Sequence, residues 1–128
     1  MGYRSDVTVL IYPPARKTEA GEEKYQLLKT LVNTTFNHVY TCWQNNLWTW
    51  HTLDHVLEFN VPDAKWYDGY EEVRNFTTML EELPALGYCV EFVRIGEDFN
   101  DIEREDYSPE HLYIEGLLDV VRYTEKNF

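Results

Sequence analysis

Residues 70–83 read YEEVRNFTTMLEEL, and the apolar side chains among them, Val73, Phe76, Met79, Leu80 and Leu83, fall on one stripe at helical spacing. A helix of this kind is polar on its opposite side and gains its stability by laying the stripe on another layer. The turn residues Asp68-Gly69 precede it and Pro84 follows it, which predicts both ends. The layer has to come from the segments around it, and these carry strand signals. Residues 6–12, DVTVLIY, are rich in β-branched and aromatic side chains and end at Pro13-Pro14. Residues 55–61, HVLEFNV, alternate Val56, Glu58 and Asn60 against Leu57, Phe59 and Val61, and Pro62 is expected to stop that strand. Residues 88–95, YCVEFVRI, alternate Val90, Phe92 and Arg94 against Cys89, Glu91, Val93 and Ile95, with the mixed character of a central strand.

A second helix is predicted over residues 19–33, where Tyr25, Leu28, Leu31 and Val32 recur at helical spacing behind Thr18 as N-cap. Residues 36–51, FNHVYTCWQNNLWTWH, follow neither a period of two nor one of 3.6 and stay ambiguous. A closing strand or hairpin is expected over residues 112–123, with Gly116 as a turn or bulge. At 128 residues the chain suits a single domain spanning 1–128. The element order gives an α+β, two-layer sandwich: a mostly antiparallel sheet with two helices on one face, ferredoxin-like as the leading arrangement.

The formal net charge of -12 opposes direct binding to nucleic-acid phosphates, because the basic residues are scattered among acids. Cys42 and Cys89 lie far apart and outside any metal-ligand spacing, so the expectation is a reduced, cytoplasmic setting with no cofactor and no metal. No apolar run approaches the ~20 residues needed to span a bilayer, so no membrane role is expected.

Residues 97–110 crowd Glu97, Asp98, Asp101, Glu103, Glu105, Asp106 and Glu110 around the lone Arg104. One reading is a solvated loop that keeps the protein in solution; the other is a surface whose carboxylates imitate nucleic-acid charge and draw a basic partner. A calcium loop through Asp98, Asn100 and the Ile102 carbonyl is disfavoured, since Glu103 stands where an EF-hand needs its glycine. Trp43, Trp48 and Trp50, with Tyr40, are either core or the aromatic anchors of an interface. His51 and His55 have the i, i+4 spacing of a helical metal pair but stand beside a predicted strand; Cys42/His38 and Cys89/His111 could act as nucleophile and base only if folding joins them. Arg4 and Arg94, at the ends of two predicted strands, either pair with the acidic loop or, with His55, line a small pocket.

The stretches MGYRSDV, KWYDGYEEV and EFVRIGEDFNDIE resemble a group of small tailed-phage proteins of unassigned function. That resemblance implies a phage-encoded protein acting in the host cytoplasm. No set of nucleophile, base and orienting group is visible, and no phosphate-cradling glycine loop. The expectation is therefore a non-enzymatic protein that occupies a host protein with a basic surface, through Glu97, Asp98, Asp101, Glu103, Glu105 and Asp106 for steering and Trp43, Trp48 and Trp50 for anchoring. The alternative is a small-ligand module or unfamiliar enzyme with its pocket near Arg4, Arg94 and His55. The same aromatics leave a homodimer open.

Overall fold

The computed structural model describes residues 2–43, 45–98, 100–109, 114–120 and 124–128. They form a five-stranded sheet in the order β2-β3-β1-β4-β5 from β1 (Ser5–Tyr12), β2 (Trp48–His51), β3 (Val56–Ala64), β4 (Cys89–Gly96) and β5 (Ile102–Tyr107), every neighbouring pair antiparallel. Helices α1 (Glu19–Asn33) and α2 (Asn37–Cys42) connect β1 to β2, and α3 (Glu71–Glu82) connects β3 to β4. This β-α-β-β-α-β course with β1 and β3 at the centre is the split-βαβ, ferredoxin-like arrangement, extended by β5 beyond β4. A short hairpin of β6 (Leu118–Val120) and β7 (Thr124–Lys126) follows.

Helix α1 starts where Thr18 accepts the Gly21 N–H at 3.1 Å, and α3 starts without a side-chain cap, its Arg74 donating instead to the Gly69 carbonyl. A 3₁₀ turn over Leu83–Leu86 carries α3 to Gly87, whose φ of 95° lets the chain reverse into β4. Alternation divides the strands as expected. Val7, Val9, Ile11, Leu57, Phe59, Val90 and Phe92 meet the helix stripes in one core, while Leu10, Tyr12, Val56, Cys89 and Val93 face the other way.

Two expectations are corrected and one open segment is resolved. Pro62 does not end its strand: β3 runs on to Ala64, along the stretch where it has β1 but no longer β2 as a neighbour, so a missing N–H can be tolerated there. The segment left ambiguous resolves into the short helix α2, a 3₁₀ turn over Asn45–Leu47 and strand β2, within the expected α+β sandwich. The acidic stretch is not a loop throughout, because Ile102–Tyr107 form the edge strand β5 paired with β4. The second face of the sheet is also not bare: Leu117 and Leu118 at the start of the hairpin are buried against it, with Ile114 and Phe128 alongside.

Candidate interaction surface

At the end of the sheet where β1 begins, the acidic stretch is organised by one cation. Arg94 points its guanidinium at Asp101 (Nη2–Oδ1 2.8 Å and Nη1–Oδ2 3.1 Å), at Glu103 Oε1 (3.0 Å) and at Ser5 Oγ (3.0 Å). The Tyr3 hydroxyl donates to Asp101 Oδ2 at 2.6 Å and accepts the Asp98 N–H at 3.0 Å. The Arg94 hydrogen bonds, and then that of Tyr3, hold the Asp101 carboxyl below its ordinary pKa, and bonding to the same carboxylate raises that of Tyr3. Gly96 lies under this network; a Cβ there would collide with Asp101 Oδ2 and the Tyr3 hydroxyl. The expected pairing of Arg94 with the acidic residues is thus present.

Beyond that framework most of the negative charge in this stretch has no ion-pair partner among the described residues. Asp106 pairs with Arg104 (Nε–Oδ2 3.2 Å), but Glu97, Asp98 and Glu105 are exposed and make no ion pair among the described residues. Tyr107, at the far end of β5, has its hydroxyl pKa raised by burial and then by Glu105, Glu81 and Glu103, which places the α3 carboxylate of Glu81 in the same field. Glu110 lies outside the described residues.

The aromatic half of the expected site is corrected at Trp48. Trp48 is 6% exposed, Trp43 stacks at the edges of Phe59 and Phe76 and beside Trp66, and Trp50 meets Tyr25 edge-on while its Nε1–H donates to Tyr40 at 3.2 Å. Phe76 sits among Trp43, Trp48, Phe59 and Trp66, with centroids 4.6–5.9 Å apart. Trp48, Phe59, Trp66 and Phe76 are core, and Tyr40, Trp43 and Trp50 pack against them partly buried, since α2, β2 and α3 all turn these rings toward the same sheet face. Burial removes Trp48 as an anchor, while Trp43 and Trp50 keep part of their surface exposed.

The expected pocket is corrected as well. Arg4 donates to the Asp63 carbonyl at 3.2 Å near the Arg94 end of the sheet, whereas His55 precedes β3 at the opposite end and contacts the Arg16 carbonyl through Nδ1. The three residues line no common space. His51 and His55 do not share a helix face: His51 ends β2 and bonds Glu58 Oε1 at 2.7 Å. Cys42 is exposed, Cys89 is buried, and His111 lies outside the described residues. No group of three or more His, Cys, Asp or Glu among the described residues could hold a metal ion, and no helix among them is long and apolar enough to cross a membrane.

Two features were missed in the sequence. The first is Glu91 on β4, fully buried, which accepts from the Tyr12 hydroxyl (2.6 Å), Arg104 Nη2 (2.9 Å) and the N–H groups of Leu117 (2.9 Å) and Leu118 (3.1 Å). The second is a cleft of about 400 Å³ beside the loop that joins β1 to α1, lined by Tyr12, Arg16, Lys17, Cys89 and Glu115 among others. Its one sequence signal was two adjacent cations after Pro13-Pro14 in an acidic chain. No protein-family model, no curated protein and no solved structure matches this chain.

Proposed function

We propose that this is a non-enzymatic binding protein that captures a protein with a basic surface through the acidic turn before β5 and the β5 edge itself. The observation that carries the reading is the contrast within one stretch: Arg94 and Tyr3 fix Asp101 and Glu103 in place, while Glu97, Asp98 and Glu105 beside them face solvent with no cation among the described residues. Charge held on an ordered support attracts an opposite charge without first having to order itself. The likeness to tailed-phage proteins extends the proposal to a phage product that occupies a host component in the host cytoplasm.

Imitation of nucleic acid is the weaker form of the idea. Same-face carboxylates on β5 recur about every 7 Å, whereas one DNA strand carries a charge about every 3.4 Å along its axis. Glu103 and Glu105 alone reach half that density, and Glu81 from α3 has to contribute. Recognition of a basic protein surface needs no such match.

The test is capture from host lysate on the immobilised chain, followed by salt elution. Exposed charges lose sight of one another as the Debye length falls from ~10 Å at 0.1 M to ~3 Å at 1 M. A basic protein should be retained at low salt, released by high salt, and lost from the triple variant E97K/D98K/E105K but kept by E22K/E71K/E72K, which makes the same charge change on the helices. Retention by the first triple variant, or salt-insensitive retention, would overturn the proposal.

A further inference from the structure

The cleft beside the β1–α1 loop lies among residues that the acidic edge does not use. Its floor is set before any ligand arrives. Ala15 has a φ of 50°, Thr18 Oγ1 donates to the Ala15 carbonyl at 2.6 Å, and Gly21 of α1 is packed so tightly on Ala15 and Arg16 that a Cβ would collide with their main chain. Arg16, 6% exposed, is held there: its Nη1–H donates to the Asp54 carbonyl at 2.8 Å and its own carbonyl contacts His55. Its Nε–H donates to Glu115 Oε2 at 3.0 Å, leaving further guanidinium donors without a partner among the described residues.

Glu115 is the looser partner. Its side chain is 37% exposed, and it stands outside any helix or strand, just before Gly116 with its φ of 76°. A carboxylate of the chain itself thus occupies the arginine that faces the cleft. The remaining wall is apolar, from the Tyr12 ring, Pro14 and the buried thiol of Cys89. Burial, with Glu115 and Glu91 nearby, pushes that thiol up to about 11, so at neutral pH it is uncharged and does not repel an anion.

We propose that this cleft binds a small monocarboxylate with an apolar body, its carboxylate replacing Glu115 on Arg16. The volume lies within the usual ~300–1,000 Å³ of small-molecule sites, and a planar carboxylate matches the guanidinium fork. A dianion fits less well, because the second cation, Lys17 at the rim, is exposed and shared with Asp54 at 2.9 Å, so its attraction is screened by solvent.

Benzoate, phenylacetate and hexanoate, each paired with its alcohol, are the probes, titrated into the ¹⁵N-labelled chain by NMR. Saturable shifts are expected at the amides of residues 15–18 and 89 with the carboxylates, and much weaker ones with the alcohols. Glu115→Gln removes the competing carboxylate, and since a half-exposed ion pair is worth up to about 1 kcal/mol, it should tighten carboxylate binding up to about fivefold. Arg16→Lys keeps the charge but loses the fork, and should weaken it. Absence of saturable shifts in both the parent chain and Glu115→Gln, equal binding of acids and alcohols, or weaker binding by Glu115→Gln would each overturn the site. None of these outcomes bears on capture by the β5 edge, because neither Arg16 nor Glu115 belongs to it.

Discussion

The helix-covered face of the sheet and the face beneath the C-terminal hairpin each carry a buried apolar cluster, but they are closed by different means. Under the helices the seal is aromatic: Phe59, Phe76, Trp43, Trp48 and Trp66 fill the space, and the indole N–H groups of Trp43 and Trp48 find no acceptor among the described residues. Under the hairpin it is polar. Glu91 takes four hydrogen bonds, two from hairpin main chain, and Glu58 takes His51 at 2.7 Å and Lys126 at 2.8 Å, with Phe128 edge-on to His51. The first face tolerates unmet donors because the surrounding contact area is large. The second covers less apolar surface, so its carboxylates must be nearly saturated to be worth burying.

The contrast can be broken most severely at Phe76. Phe76→Ala removes the ring shared by Trp43, Trp48, Phe59 and Trp66 and should cost about 3–5 kcal/mol in denaturant unfolding. Glu91→Ala removes the shared acceptor of Arg104 Nη2, the Tyr12 hydroxyl and two amides, for a loss of about 3 kcal/mol. Its signature is local: hydrogen exchange at Leu117 and Leu118 should accelerate well before the amides of β1 and β4 do.

Titration sharpens the same comparison. The Cys89 thiol under the hairpin is pushed up to about 11, and the Tyr88 hydroxyl on the helix side to about 12, both by burial. Each binds its proton more tightly folded than unfolded, so its contribution is complete below the unfolded pKa and is lost as pH rises through the folded one. Urea midpoints should therefore fall progressively between the thiol's ordinary 9.0 and about 12. The smallest effect is expected from Trp43→Phe, which gives up ring area but also an unmet donor, and should change stability by less than about 1.5 kcal/mol.

The sequence made some elements legible and hid others for identifiable reasons. Helix α1 begins and ends where read, because Thr18 caps it and its stripe stands against a polar remainder. The central strands were readable because one side chain in two faces the aromatic core. Residues 36–51 were not, since a helix end, a 3₁₀ turn and a strand all send aromatics to one place and three periods overlap. Strand β5 escaped because an edge exposed on both sides leaves no alternation to see; its charges blunt the edge and masked the strand. Of the candidate site, a pairing of Arg94 with the acidic stretch was legible, though not its partners Asp101 and Glu103, while the burial of the tryptophans was left open. The cleft depends on residues 16, 54, 89 and 115 meeting, which no local pattern records.

Strand β1 sits at the centre of the sheet, and its neighbours are residues 56–64 and 89–96. The ribosome therefore delivers the stickiest strand well before either flank that will cover it. At a synthesis rate of ~5–20 residues per second, β4 emerges roughly 4–17 s after β1. Through that interval the run VTVLIY has at most one of its two sheet neighbours, and the emerging first helix is the earliest segment that can cover it.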